Sequence, residues 1–433
     1  MLCYKGILIA GTAVITLTGC SKYFVSKDII NETVDEQGIQ DKIKETNKMQ
    51  AQNGNALESM EETVNGMNEF ALHLFQELPE ENSFFSPYSI SVAISMLDNA
   101  AENDTKEELE NLLGIKDLSS HNLNIKTLLD SYDGKGAIMN TANSVWWSKG
   151  MTNFKETMKP DFLDPLRYYY GADVLQVDFT ESKTIDQIND WIGDKTNEMI
   201  PKMLEKLDES TVMCLVNAVY FEGIWQNKFT KERTWKKEFN GVEKTVQVDM
   251  MQSGDLDLHY YEMDGMRGIE LPYEDSTIAM QIILPEEGST QTIHEVFDAL
   301  TTEEQLEFLN AVSESERKHI TYLGLPKFSI EYEIDQFVTI LKTLGMVDSF
   351  DETLADFGKI NDLLYVSDVM HKARIEVDEE GSKAAAATLI ATTETGAIIA
   401  SENIEFLIDQ PFIYVIRDTS TGTILFLGYT NQL

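Results

Sequence analysis

The sequence predicts an α+β fold. Amphipathic helical patterns come first along the chain and apolar strand patterns follow, without the strand–helix alternation that builds a parallel α/β sheet. Residues 214–221 are apolar at nearly every position, the mark of a strand buried on both faces. Near the end, two apolar runs flank Asp418-Thr419-Ser420-Thr421-Gly422, a hairpin pattern. With 433 residues, 42% of them hydrophobic, the chain can build a large core.

The amino-terminal end reads as an export signal. Lys5 supplies a short positive region, and residues 7–17 form an apolar stretch too short to span a bilayer comfortably. That stretch ends in Leu17-Thr18-Gly19-Cys20, which resembles the bacterial lipoprotein box. Residues 1–19 are then a signal peptide, and Cys20 is the lipidated first residue of the mature chain. The plainer reading is an ordinary secretory signal with a chance cysteine; the small residue before Cys20 and the leucine three before it favour lipidation. Of the three cysteines, Cys3 would be removed and Cys20 acylated, so Cys214 is left without an internal disulfide partner. Residues 20–64 carry the lipidated cysteine and a tether. They are rich in Asn, Gln, Glu, Lys and Asp without sustained periodicity, which suits a weakly helical or disordered stalk. No internal repeats are visible.

The folded part begins near Glu61. Val64, Met67, Ala71, Leu74, Phe75 and Leu78 share one helical face, and Pro79 ends that helix. Ser86-Pro87 reads as an N-cap with proline at the first helical position, and Ile90, Ala93, Ile94 and Leu97 make the helix a buried one. Thr105-Lys106-Glu107-Glu108 reads as a capping box, with Gly114 closing its helix. Ile185, Ile188, Trp191 and Ile192 mark another helix. Strands are expected over 278–284, 320–330, 363–369, 374–377, 412–417 and 424–429.

The formal charge is 34 − 74 = −40, and the basic residues form no dense block. That argues against nucleic acid and against electrostatic adhesion to anionic lipid; an acidic coat for solubility is the bland reading. No enzyme motif is found. There is no Gly-x-Ser-x-Gly elbow, no His-Glu-x-x-His helix, no paired CxxC and no phosphate-binding loop. The six histidines are scattered, without metal-ligand spacing, and Cys214 in an apolar strand is a core residue rather than a nucleophile. The expectation is a non-enzyme without cofactor or metal.

The informative segment is Asp378-Glu379-Glu380-Gly381-Ser382-Lys383-Ala384-Ala385-Ala386-Ala387-Thr388. Four alanines invite a helix, and by itself the segment could be a flexible loop or short alanine helix. Gly381 before them, and Thr388, Ile390, Thr392 and Thr393 after, suit an extended chain better. Small side chains on both faces let such a segment slide between strands.

Its surroundings resemble the serpin family across roughly 65–433. The motifs are Asn82-Ser83-Phe84-Phe85-Ser86-Pro87-Tyr88-Ser89-Ile90, Asn143-Ser144-Val145-Trp146, and Val216-Asn217-Ala218-Val219-Tyr220-Phe221-Glu222-Gly223-Ile224-Trp225. Leu325-Pro326-Lys327-Phe328, His371-Lys372-Ala373, the alanine-rich hinge and Asp409-Gln410-Pro411-Phe412 then follow in the family's order. Each is weak alone; in order and at this spacing they are specific. Ala100 stands where the family usually has glycine, and Glu222 replaces a usual lysine. Neither touches the trapping loop.

The resemblance implies helices packed around a five-stranded central sheet with two smaller sheets, and an exposed reactive-centre loop over about 379–404. It implies a monomeric partner of serine proteases that is cut, forms an acyl-enzyme, and inserts its loop as a new central strand. Ser382, Ala384, Ala386 and Thr388 would then face inward, since alternate residues share a face. Ser86, Ser89, Asn217 and His371 would form the polar cluster where strands part, with His371 a buried structural histidine. Glu379 and Lys327 would pair at the top of the opening beside Trp225. Counting fourteen residues from Gly381 puts the scissile bond after Thr395, before Gly396, with Ala397, Ile398, Ile399 and Ala400 as alternatives. Lys383 is the only basic residue from Gly381 to Phe406 and no aromatic precedes Phe406, so elastase-like and then subtilisin-like proteases are the expected targets. A non-inhibitory carrier of the same fold, or a lipoprotein adhesin, is the competing expectation.

Overall fold

The computed structural model describes residues 56–132, 137–148, 160–200, 202–207, 211, 213–263, 265–360, 364–382 and 404–433. The export signal with Cys20, most of the tether, residues 383–388 of the hinge and the expected scissile bond lie outside these. Nine α-helices are described: α1 (Ala56–Glu77), α2 (Pro87–Asp98), α3 (Asn103–Leu113), α4 (Leu118–Ser131), α5 (Pro160–Tyr170), α6 (Lys183–Lys195), α7 (Ile293–Asp298), α8 (Thr302–Glu314) and α9 (Phe337–Thr343). None of these is long and apolar enough to cross a membrane.

Local chemistry accounts for most of the helix ends. The α1 face named from sequence is buried from Val64 to Leu78, and the helix stops just before Pro79. Ser86 caps α2, its Oγ accepting the Ser89 N–H at 3.2 Å, and all twelve residues of that helix are buried. Gly114 ends α3 at φ 63°, a left-handed position that costs glycine nothing. The expected capping box does not form. α3 starts at Asn103, so Thr105 and Glu108 lie inside it. Thr105 Oγ1 instead accepts the Asp356 N–H (2.9 Å), and the Glu108 carboxylate accepts the N–H groups of Val347, Asp348 and Ser349 at 2.7–2.8 Å. Orphan donors of a distant loop have taken the side chains that a local cap would have used.

The strands are β1 (Ser83–Phe85), β2 (Ala137–Ser148), β3 (Asp173–Val177), β4 (Met213–Ile224), β5 (Thr234–Asn240), β6 (Thr245–Ser253), β7 (Leu256–Met263), β8 (Met266–Pro272), β9 (Ile278–Pro285), β10 (Arg317–Pro326), β11 (Phe328–Glu333), β12 (Asp368–Val377), β13 (Gly381–Ser382), β14 (Ile404–Leu407), β15 (Phe412–Asp418) and β16 (Ile424–Thr430). Five of them form the central sheet in the order β11-β12-β4-β2-β3, and the two-residue β13 is seated between β12 and β4 at one end. β12 and β4 run parallel, with His371 opposite Asn217. The remaining ten strands form one continuous series, β1-β16-β15-β9-β8-β7-β10-β6-β5 with β14 on β10. The two smaller sheets run into each other at β7, which pairs with β10 through its first half and with β8 through its second.

Two strand expectations change. Residues 320–330 are two strands in different sheets, broken at Lys327: β10 pairs with β6 up to Pro326, and β11 pairs with β12 from Phe328. The Lys327 N–H bonds Asp249 O at 2.8 Å, which holds the chain at the crossing. The strand expected over 363–369 begins only at Asp368; Leu364 and Val366 are buried but lie outside a ladder. β2, of which the sequence showed only the motif Asn143-Ser144-Val145-Trp146, pairs along β4 from Ala137 to Trp147. Phe84 stacks on Phe426 (5.1 Å, 4°) and Tyr414 (5.8 Å, 12°), tying β1 to the closing hairpin β15–β16. Cys214 is free and fully buried, and burial pushes its thiol far up, as for a core residue.

Candidate functional site

Beneath the middle of the central sheet, α2 with its Ser86 cap, β2, β4 and β12 bring five polar side chains together. The Ser86 N–H donates to His371 Nε2 at 3.0 Å, so that nitrogen is an acceptor and carries no proton. The proton therefore sits on Nδ1, which faces Asn217 Oδ1 at 3.0 Å and donates to it. Asn217 Nδ2 in turn donates to Ser89 Oγ (2.5 Å), Ser89 O (3.0 Å) and Asn143 Oδ1 (2.8 Å). Ser86 Oγ donates to Leu425 O at 2.7 Å. His371 is neutral, and burial pushes its pKa down to about 3. No acidic partner or nucleophile stands beside it in these contacts, so the imidazole is a strut. Ser86, Ser89, Asn217 and His371, singled out from sequence, do meet; Asn143 belongs with them. It stood in a recognised motif, but only the register of β2 against β4 (Asn143 opposite Asn217) reveals it as a partner.

At one end of the same sheet lies the hinge. Asp378 Oδ1 accepts the N–H groups of Glu380 (2.8 Å) and Gly381 (3.3 Å), and the Asp378 N–H bonds Gly381 O at 2.9 Å. This Asx turn sends the chain back antiparallel to β12. Three backbone clasps hold it: Trp225 N–H to Glu380 O (2.9 Å), Phe229 N–H to Glu379 O (3.0 Å) and Trp225 Nε1–H to Asp378 O (3.0 Å). The Glu379 side chain, only 5% exposed, accepts Lys327 Nζ at 2.6 Å and Thr234 Oγ1 at 2.8 Å. Burial pushes its carboxyl up, yet the bonds from Lys327 and Thr234 outweigh this and hold it below the usual carboxylate range. The pair named from sequence therefore has one buried member and is not the freely solvated surface contact that is worth about 0–1 kcal/mol. Glu380 lies 3.6 Å from Lys228 Nζ and 3.7 Å from Lys231 Nζ.

Gly381 and Ser382 refine the picture of a loop held wholly outside the sheet. They already pair with Ile224 and Gly223 on one side, and Ser382 with Val377 on the other. A Cβ on Gly381 would stand 2.0 Å from Gly223 O, so only glycine passes there. The Ser382 side chain is buried, its Oγ 2.6 Å from the hydroxyl of Tyr273. Tyr273 stacks flat on Trp225 (4.7 Å, 9°) and meets Phe221 edge-on at 5.1 Å. Sequence reasoning did not find Tyr273: nothing in Pro272-Tyr273-Glu274 hints at a neighbour more than a hundred residues ahead.

A family model described as Serpin (serine protease inhibitor) matches residues 65–433. Iripin-1 of Ixodes ricinus is 35% identical over 382 residues, covering 84% of this chain and 93% of that protein. Leukocyte elastase inhibitor of Xenopus laevis is 33% identical over 385 residues, covering 85% and 99%. Among solved structures, a thermophilic serpin, tengpin, in the native state superposes with a TM-score of 0.76 at 31% identity, covering 86% of this chain and 94% of that one.

Proposed function

The chain belongs to the serpin family, generally protease inhibitors, and from that premise we propose that it is an irreversible suicide-substrate inhibitor of serine proteases. The protease serine attacks the scissile carbonyl, the peptide bond breaks, and the new amino terminus leaves with the proton. The released loop then enters the central sheet and carries the acylated protease with it, before water can cleave the ester. The observation that carries this reading is Ser382. A small hinge residue is seated between β12 and β4, so the sheet is parted at that end, and the next inward residues, Ala384, Ala386 and Thr388, would follow by separating the β12–β4 ladder below it.

The target reading rests on the loop's side chains. Thr395 before Gly396, or Ala397, Ile398, Ile399 and Ala400, suit a shallow specificity pocket, so elastase-like enzymes come first and subtilisin-like ones next. The inhibitor would work as a monomer, held at a bacterial surface by lipid on Cys20. The test is incubation with elastase, subtilisin and trypsin, followed by denaturing electrophoresis and mass spectrometry of the released peptide. A covalent band with elastase and a peptide starting at Gly396, or within residues 397–401, is expected. Cleaved monomer alone, or inhibition of trypsin with cleavage after Lys383, overturns the reading.

A further inference from the structure

Tyr273 follows directly on β8 and is pinned there before it reaches the hinge. Its N–H bonds Ile278 O at 3.1 Å, its backbone bridges Trp225, and its ring is held between the Trp225 face and the Phe221 edge. The ring has no room to move, so the hydroxyl is delivered to one place, the buried end of β4, where Ser382 Oγ meets it at 2.6 Å. Both hydroxyls are out of contact with solvent. With Ser382 seated each has its partner; with Ser382 withdrawn, the tyrosine hydroxyl loses this one. We infer that Tyr273 is a positioning residue for loop insertion: its hydroxyl receives Ser382 and holds the new strand nucleated before a protease arrives.

This rests on the inhibitor reading above and adds the side chain that holds the first inserted pair. Trapping is a race between strand growth and hydrolysis of the acyl ester. The costly event in adding a strand is closing the first pair, because chain entropy is lost before neighbouring contacts reward it. Here that pair exists in the uncut chain, made by the ladder of Gly381 and Ser382 together with the hydroxyl bond, and each later residue extends it as β12 and β4 part.

The test is Tyr273→Phe, which keeps both ring contacts and strands the Ser382 hydroxyl in a dry seat. A buried hydroxyl without a partner is unfavourable, whereas removing both partners is nearly neutral. Two readouts are taken with elastase as the probe protease: the moles of inhibitor consumed per mole of enzyme trapped, and hydrogen–deuterium exchange over residues 378–382 of the uncut chain. Tyr273→Phe should raise the first by roughly threefold or more and speed the second by roughly tenfold, while in a Ser382→Ala background Tyr273→Phe should add little to either, since the bond is already gone. A Tyr273→Phe chain unchanged in both, or one whose effects are as large in the Ser382→Ala background as in wild type, overturns the inference while leaving the inhibitor reading standing. A wild-type chain that forms no covalent complex overturns both.

Discussion

His371 shows how one side chain's protonation is set by its neighbours. The Ser86 N–H occupies one ring nitrogen and Asn217 Oδ1 takes the proton of the other, so a second proton has no acceptor to face. The folded-state pKa, about 3, lies below the unfolded value near 6.5. The unfolded chain therefore binds the extra proton, and this histidine's contribution is complete above about pH 6.5 and is lost as pH falls toward 3. The stability difference between wild type and His371→Gln should narrow by about 1 kcal/mol between pH 6.5 and 5.5, read by urea unfolding. A difference independent of pH in that window would mean the imidazole takes its second proton as readily in the fold as in the unfolded chain. Hinge substitutions act through size and charge. Ala384→Arg, at the position that would enter next after Ser382, should convert inhibitor into substrate, because burying a guanidinium without a partner costs several kcal/mol. Ser382→Arg should do the same and also unseat β13, since its side chain would meet Tyr273. Covalent complex at unchanged stoichiometry in either variant would sink the insertion mechanism.

At the scale of elements, the places where local rules failed are informative. Thr105 and Glu108 have the spacing of a capping box, yet both serve the 347–356 loop, because amides that would otherwise be orphaned there outweigh one frayed helix start. The apolar run 320–330 continues through Lys327 without a break in pattern, although the chain changes sheets there to send that lysine to Glu379. β13 has two described residues, with partners on both sides. A strand grown from it would part β12 from β4 and make new ladders along both. Cleavage of the loop beyond Ser382 should therefore raise the melting temperature sharply, as differential scanning calorimetry would show. An unchanged midpoint after clean cleavage between Gly381 and Phe406 would contradict a native state under strain.

For the molecule as a whole, the sequence reading that falls outside the described residues is testable in cells. Cys20→Ser should move the protein from a detergent-soluble membrane fraction to a soluble or secreted one, and identical fractionation of variant and wild type would rule out the lipid anchor. By itself the sequence determined the α+β class, the buried helix after Ser86, the doubly buried strand around Cys214, the closing hairpin and the family. These follow from periodicity, caps and ordered motifs, all readable within a short window. It also named Ser86, Ser89, Asn217 and His371 as neighbours, though only through the resemblance. What the tertiary structure alone decided is the pairing: Asn143 facing Asn217, Glu379 buried between Lys327 and Thr234, and Ser382 seated against Tyr273. Register between strands far apart in sequence leaves little local trace, because a polar side chain looks the same along the chain whether its partner is water or a residue from another strand.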